Sequence, residues 1–109
     1  MIHIEVRKHG GKIVSLSASG HAEAADKGED LICAAVSAIL FGLGNAADEM
    51  SDMIGFEIAE NQFRMYAGEP DSTAETILQT GYYQLKTVEE SYSDFVEIKT
   101  LEEIGRAHV

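Results

Sequence analysis

An alternating pattern at the start of the chain restricts the fold more than any other feature. Ile2, Ile4 and Val6 are separated by polar residues, which is the two-residue period of a strand with one buried face. Gly10-Gly11 follows, and consecutive glycines supply the positive φ angles of a tight hairpin turn. The chain therefore begins with an antiparallel hairpin whose apolar face must be covered. The side chains predicted to share one face of the second strand are Val14, Leu16 and Ala18.

Two later segments have the three- and four-residue spacing of amphipathic helices, which could provide this cover. The first follows Asp30, a predicted N-cap, and the second opens at Ser72, which has capping-box spacing with Glu75. Gly42 and Gly44 each cost the first helix about 1 kcal/mol relative to alanine, so close packing against the sheet or a partner subunit is expected there. The predicted buried stripes are Ile32, Val36, Ile39, Leu43, Ala47 and Met50, then Ala74, Ile77, Leu78, Tyr82, Leu85 and Val88.

Three further strands complete the predicted sheet. Residues 22–29, by contrast, have no periodic pattern and are predicted to form a loop. Paired strands separated by helices indicate an α+β fold. We expect a single domain over residues 1–109, with two main helices packed on a largely antiparallel sheet of about five strands. The third strand begins with Phe56 and Ile58, the fourth spans residues 62–67 after a turn at Glu60-Asn61, and the fifth spans residues 95–99.

The charge of the chain limits its partners. Asp and Glu number 19 against 8 Lys and Arg, which gives a net charge of −11. Double-stranded nucleic acid would be repelled, because its binding relies on Lys and Arg that neutralise phosphates. A basic protein would be attracted, and faster at low salt. An acidic surface that only keeps the protein soluble explains the same charge.

The compartment can be predicted from what the sequence contains. Its single cysteine, Cys33, cannot form an internal disulfide, which is typical of a reducing compartment. The N-terminus lacks the basic and apolar blocks of a signal peptide. The longest apolar stretch, Leu31 to Leu43, is shorter than the roughly 20 residues that span a bilayer. We therefore expect a soluble cytoplasmic protein with no membrane or nucleic-acid partner.

One segment of the chain combines residues that could perform chemistry. Gly20-His21-Ala22 places a histidine at the end of a strand, and Cys33 falls in the predicted first turn of a helix. A cysteine attacks as a thiolate, which the positive end of a helix favours. A histidine within reach could take the thiol proton and later donate it to a leaving amine. Asp30 opposes the thiolate unless it caps the helix or orients His21.

Other interpretations of these residues stay open. A lone cysteine on an apolar helix is often an inert core residue, and a lone histidine is often a surface residue. Ser37 lies one turn after Cys33 on the same face, where it could line a site or only contact the sheet. His21, Asp30 and Cys33 could also supply three ligands to zinc. No paired Cys or His spacing supports a metal site, so we predict no metal and no cofactor.

These residues also resemble the motif of a known family. Gly20-His21-Ala22, then Gly28-x-Asp30, two apolar residues and Cys33-Ala34-Ala35-Val36-Ser37 are similar to the ribosomal-processing cysteine protease family (Prp) of Firmicutes and related bacteria. The resemblance spans nearly the whole chain, and no motif residue is missing. It implies that Cys33 is the catalytic nucleophile and His21 the general base, with Asp30 and Ser37 supporting or orienting them. Backbone N–H groups at the start of the Cys33 helix are expected to stabilise the oxyanion.

The resemblance also implies a substrate and an assembly. Members of the family remove a short N-terminal extension from bacterial large-subunit ribosomal protein twenty-seven, and they form homodimers. A basic ribosomal protein would be attracted to an acidic enzyme. The alternative is a non-enzymatic, acidic adaptor that holds such a protein during ribosome assembly. A thiol-redox or metal-binding protein is a third possibility.

The loop predicted between the two catalytic residues suggests a gate. Residues 22–29 contain small alanines, mixed charges and Gly28 as a pivot, with no large apolar side chain to anchor them. Such a segment gains little by staying in one place. We expect this loop, which Gly20 and Ala22 lead into, to be mobile in the free protein and ordered over a bound peptide.

Overall fold

The computed structural model describes residues 1–20 and 27–103, with the backbone alone at residues 27–30 and at Glu103. Pairs of strands are separated by helices along these residues, in the way that the apolar patterns predict. The elements are β1 (Ile2–His9), β2 (Lys12–Ser19), α1 (Lys27–Met50), β3 (Gly55–Ala59), β4 (Gln62–Tyr66), α2 (Ser72–Ser91) and β5 (Val96–Glu103).

The strands form a 5-stranded sheet in the order β3-β4-β2-β1-β5. β1 pairs with β5 in parallel, and the other neighbours are antiparallel. Gly10 and Gly11, with φ of 59° and 81°, form the predicted turn between β1 and β2. The α+β fold, with two helices on a largely antiparallel sheet, is confirmed.

Both helices lie on the same face of the sheet, and the core fills the space between the two layers. Gly81 of α2 lies where the helices and the sheet pack closely together. A Cβ atom there would overlap Leu43 of α1 and lie 3.0 Å from Leu16 Cδ1 of β2. The largest fully buried side chains, which mark the centre of this core, are Ile4, Leu16, Met65, Leu78, Leu85, Val6 and Val96.

The prediction for one residue of β2 was wrong because the β1–β2 pair contains a bulge. Arg7 pairs with Ser15 and Lys8 with Ile13, so Val14 has no partner in the register. An extra residue on one strand reverses which side chains point to each face beyond it. Ile13 is therefore buried in the core in place of Val14, while Leu16 and Ala18 are buried as predicted. Strict alternation carries no signal for such a bulge.

Element boundaries also differ from the predictions at several places. α1 begins at Lys27, so Asp30 lies inside the helix and is not its N-cap. The N-cap of α2 is Asp71, whose carboxylate accepts a hydrogen bond of 2.8 Å from the backbone N–H of Ala74. Ser72 is thus the first helical residue instead of the cap. β5 continues beyond Lys99 to Glu103, because β1 offers a partner along its whole length.

The two glycines of α1 differ in their surroundings. Gly44 is buried, and a Cβ atom there would make ordinary contact, at 4.0 Å, with the rings of Phe56 and Phe63. Gly42 is exposed, and a Cβ atom there would have no neighbour within 4 Å. Close packing against the sheet is therefore wrong for Gly42, and packing of Gly42 against a partner subunit stays a prediction.

α1 is long and apolar enough to pass a length and composition test for a membrane span, over the 20 residues Leu31–Met50. The predicted apolar stretch, which ended at Leu43, was therefore too short. Of this segment, 33% is buried within the protein. The buried apolar side chains of this segment are those that join the core beside the sheet: Ile32, Val36, Leu40, Leu43 and Ala47. The prediction was wrong for Met50, which is 63% exposed at the end of the helix.

Candidate active site

A groove of about 240 Å³ lies where the end of β2 meets α1 and the β3–β4 turn. Cys33, which is half-buried, lines this groove together with Ser37 one turn later on α1. Gly20, the residue before His21, lines it from the end of β2. The fold thus brings the cysteine and the strand end that leads to the histidine to one cavity. We call this cavity the Cys33 groove.

Cys33 is held by the buried stripe of α1 on either side of it. Ile32 and Val36 are 2% and 4% exposed, so this turn of the helix is anchored in the core. Cys33 is at the edge of the stripe, where its thiol is supported by packing and still reaches the groove. A rigid element that presents a partly accessible side chain is suited to catalysis.

The position of Cys33 along α1 differs from the prediction. The helix begins at Lys27, so Cys33 lies in the second turn instead of the first. Only the first four N–H groups of a helix lack an intrahelical partner, and the dipole effect falls off within the first turn. The predicted support of the thiolate and the oxyanion by the helix start is therefore wrong at Cys33 itself.

Gly20 is fixed by two contacts at the end of β2. Its φ of 90° lies in the left-handed region, and a Cβ atom there would lie 2.6 Å from the Met1 carbonyl oxygen. Its N–H donates to the carbonyl oxygen of Asn61 at 3.3 Å, and Asn61 itself has a φ of 62° in the β3–β4 turn. Glycine is required here by both conformation and space. The chain that leads into residue 21 is thus tied to the turn that forms one wall of the groove.

The structure describes only some of the other predicted site residues. His21 and Ala22 lie outside the described residues, as does the side chain of Asp30. Gly28, predicted as a loop pivot, belongs to the first turn of α1, so residues 27–29 were wrongly assigned to the loop. Flexibility of the rest of that segment remains a prediction. The zinc alternative needs the side chains of His21 and Asp30, while among the described residues no group of three His, Cys, Asp or Glu could hold a metal ion.

A cluster of aromatic residues, which the sequence patterns did not predict, forms a wall of the groove. Phe63, which is buried, packs edge-to-face on Phe41 with ring centroids 5.8 Å apart. It also stacks on Phe56 at 6.4 Å and an interplanar angle of 14°. Phe41 and Phe63 line the groove with Ile58, and Asn61 and Gln62 add polar groups. The groove can therefore hold an extended segment by one apolar side chain beside the thiol.

No local pattern in the sequence joins these residues to Cys33. Phe41 falls outside the predicted stripe of α1, and the residues of the β3–β4 hairpin lie more than twenty positions further along the chain. Their meeting follows from the strand order, which places β4 beside β2 and brings the β3–β4 turn next to the end of β2.

Comparison with known proteins identifies this arrangement. The family model described as "Cysteine protease Prp" matches residues 1–97. This chain belongs to the cysteine protease Prp family. Among curated relatives, the ribosomal processing cysteine protease Prp of Bacillus subtilis is 32% identical over 112 residues, covering 92% of this chain and 97% of the relative. The Prp of Mycoplasma pneumoniae is 33% identical over 99 residues, covering 91% and 94%.

Solved Prp structures share the fold. The S. aureus ribosomal processing protease Prp with a covalently linked product peptide has a TM-score of 0.82 at 28% identity, covering 92% of this chain and 99% of that one. The same protease with a substrate peptide has a TM-score of 0.79 at 27% identity. The resemblance stated from the motif is confirmed, and the protein is a cysteine protease of the Prp family. Membership favours the enzyme over the adaptor and redox alternatives.

Proposed function

We propose that this Prp protein cleaves a peptide bond with Cys33 as nucleophile and His21 as general base and acid. His21 takes the thiol proton, and Cys33 Sγ attacks the carbonyl carbon of the scissile bond. The C–N bond then breaks as His21 returns the proton to the leaving amine. Water hydrolyses the remaining thioester to release the acyl product. The observation that carries this proposal is the groove that the single cysteine of the chain shares with Gly20, the neighbour of His21.

The substrate that fits best is the N-terminal extension of large-subunit ribosomal protein twenty-seven. The relatives are named for ribosomal processing, which supports a ribosomal protein as substrate. The net charge of −11 would attract a basic protein. The apolar wall of Phe41, Ile58 and Phe63 would bind an apolar side chain of the extension while its backbone lies against Cys33.

The substrate is tested with intact ribosomal protein twenty-seven that carries its extension. N-terminal sequencing after incubation should show one new N-terminus, and a form without the extension should stay uncut. Raising the salt concentration should slow cleavage, because the attraction between exposed charges is screened. Complex formation without any new N-terminus would instead support the adaptor alternative.

Ile58 allows the contribution of the apolar wall to be measured. Ile58→Ser should raise KM for the extension peptide severalfold, because Ile58 lines the groove and is 57% exposed in the free protein. Tyr83→Ser is the matched control, since Tyr83 is 58% exposed on α2 and does not line the groove. An equal KM for both variants would remove Ile58 from substrate binding.

The protein is further proposed to act in the cytoplasm as a homodimer. Large apolar side chains outside the buried stripe of α1 are open to solvent, among them Leu31 at 66% exposure. A second copy packed on this side would cover them. Light scattering should give about twice the chain mass of 11.8 kDa. Leu31→Gln should weaken the dimer, whereas Tyr83→Gln on α2 should not. A monomer at micromolar concentration would contradict the dimer and leave the chemistry unaffected.

A further inference from the structure

A second cavity, of about 370 Å³, lies on the open face of the sheet, opposite the helices. Its lining side chains on β1 and β2 alternate with the buried ones, so they point away from the core. Apart from Ile4, the lining residues are polar or charged, unlike the apolar wall of the Cys33 groove. We call this cavity the polar cavity. Its charged residues include Glu5, Glu97 and Lys99.

The polar cavity adjoins the Cys33 groove at the edge of the sheet. Ser19, the last residue of β2, and Gln62, the first residue of β4, line both cavities. The two residues are directly paired in the sheet. A peptide bound in the groove can therefore continue over this pair of residues onto the open face of the sheet.

The course of the Cys33 groove determines which part of a substrate reaches this edge. Cys33 and Phe41 line the groove about two turns apart on α1, so it follows the helix for about 12 Å. Phe41 packs on Phe63, and Gly44 in the next turn lies beside Phe56, further from the edge of the sheet. Cys33 is therefore at the end of the groove nearer to that edge. With the extension on the apolar wall, the residues that follow the scissile bond leave the groove at this end.

Two carboxylates of the polar cavity can accept further hydrogen bonds. Glu97 Oε1 lies 3.1 Å from His3 Nδ1, and Glu5 Oε1 accepts from Arg7 Nε at 3.0 Å. An ionised carboxylate has two oxygens and about four lone-pair positions, so a single contact leaves acceptors for a second donor. The side chains of Glu97 and Glu5 are 50% and 38% exposed, which makes both carboxylates accessible to a ligand.

Glu97 is the nearer of the two carboxylates to the Cys33 groove. Glu97, His3 and Ser19 lie side by side on β5, β1 and β2. Two strand spacings place Glu97 about 10 Å from Ser19, a distance that about three residues of an extended peptide cover. Lys99 pairs with Glu5 in the register of the sheet, but within the described part of the chain its ammonium forms no ion pair with either carboxylate. Glu97 is thus the first carboxylate that a peptide reaches beyond the edge.

We propose that the polar cavity is a specificity site of the protease, which binds a lysine or arginine side chain that follows the scissile bond. Glu97 is the main partner of this cation, and Glu5 is the second. The assignment rests on the proposed function, which places the extension on the apolar wall. A basic ribosomal protein carries such side chains. The polar cavity would convert the general attraction of a chain with a net charge of −11 into a preference for one position in the substrate.

The site is tested with two extension peptides that differ only at the third residue after the scissile bond, which is lysine in one and glutamine in the other. The wild type should cleave the lysine peptide with a kcat/KM about two- to fivefold higher, mainly through a lower KM, because exposed ion pairs are weak. Equal kcat/KM for the two peptides would overturn the site and leave the protease function intact. Cleavage of neither peptide would overturn the proposed function, and this site with it.

A pair of variants separates the polar cavity from the net charge of the protein. Glu97→Gln should remove the preference, so that KM for the lysine peptide rises to that for the glutamine peptide. Glu57→Gln is the matched control and should keep the preference. It removes the same charge from the open face, where the Glu57 side chain is 64% exposed and lines neither cavity. Equal loss of the preference in both variants would reduce the effect to net charge and overturn the site.

A binding measurement separates recognition from cleavage. Both peptides are titrated into ¹⁵N-labelled Cys33→Ala protein, in which they should stay uncut. The lysine peptide should shift the amide signals of residues 3, 5 and 97, and the glutamine peptide should shift them less. Shifts of the same size with both peptides would contradict binding of the lysine side chain in the polar cavity.

Discussion

The two helices lie on the same face of the sheet and have different roles. α2, with 20 residues, is capped at its N-terminus by Asp71 and at its C-terminus by Tyr92, whose N–H donates to the carbonyl oxygens of Val88 and Glu89. α1, with 24 residues, has large apolar side chains on its exposed side and holds the half-buried Cys33. The difference indicates that α2 mainly stabilises the fold, while α1 also contributes the residues of the Cys33 groove.

The role of α2 in stability rests on its contacts with three other elements, α1, β2 and β5. Gly81 allows close approach to α1 and β2, and Leu85 is fully buried. Glu89 accepts the backbone N–H of Ile98 in β5 at 2.8 Å and binds Lys86 Nζ at 3.0 Å. A donor on the free edge of β5 is satisfied in this way. Changes on α2 should therefore affect stability, and changes around the Cys33 groove should affect catalysis.

After removal of the Cys33 thiol itself, the largest effect is expected at His21. His21→Ala should slow turnover by about 10²–10⁴-fold, the usual contribution of proton transfer by a positioned side chain. Its thermal midpoint should change little. The variant is compared with the wild type in peptide cleavage and thermal unfolding. Normal turnover combined with a large loss of stability would make His21 a structural residue. It would contradict the expectation that changes around the Cys33 groove affect catalysis and not stability.

In α2, Leu85→Ala should lower the free energy of unfolding by about 2–5 kcal/mol, because a fully buried side chain is removed and a cavity remains. Turnover per folded molecule should stay close to that of the wild type. Denaturant unfolding and cleavage at low temperature measure the two quantities. Tyr83→Ala, on the exposed side of the same helix, serves as the control and should change stability by less than about 0.5 kcal/mol.

Replacement of glycine by alanine should change the free energy of unfolding in opposite directions at Gly81 and at Gly42. Gly81→Ala should destabilise the protein by about 1–3 kcal/mol, because the new Cβ overlaps Leu43 in a filled core. Gly42→Ala on α1 should stabilise it by up to about 1 kcal/mol, because the Cβ meets open space and alanine favours the helix. Denaturant melts of both variants check this. If both variants changed the free energy of unfolding in the same direction, the packing of the helices described here would be wrong.

The smallest effect concerns pH and Glu89. Burial by itself raises the pKa of this carboxyl group, but the hydrogen bonds from the Ile98 N–H and from Lys86 together lower the pKa below its ordinary value of 4.5. A group whose pKa is lower in the folded state stabilises the fold above the unfolded pKa, and this contribution is lost as pH falls through the folded pKa. The stability difference between wild type and Glu89→Gln should therefore shrink below about pH 4.5. A constant difference from pH 7 to pH 3 would contradict it.

Much of the fold follows from local patterns in the chain. Alternation placed β1, the paired glycines placed its turn, and the spacing of Ala74, Ile77 and Leu78 placed the buried side of α2. What local patterns missed depends on how the strands pair with one another. The bulge at Val14 and the extension of β5 are both set by pairing with β1.

The candidate site was likewise predictable only where local sequence patterns determine it. The motif around Cys33 and Ser37 identified two groups that line one groove, and Gly20 lines it as well. The wall formed by Phe41, Ile58 and Phe63 depends on the order of strands in the sheet, which no single segment encodes. The predicted start of α1 was wrong because Asp30 has the side chain of a good N-cap. The helix begins three residues earlier, at Lys27.

The central claim is that the only thiol of the chain, in the Cys33 groove, carries out the cleavage. The most direct test incubates intact ribosomal protein twenty-seven with wild type, with Cys33→Ala and with the neighbouring Ala34→Ser, and follows product mass over time. Cys33→Ala should keep the wild-type thermal midpoint within a few degrees and release no product. Ala34→Ser, on the exposed side of the same turn, should cleave at close to the wild-type rate. Cleavage by a folded Cys33→Ala protein would contradict the account.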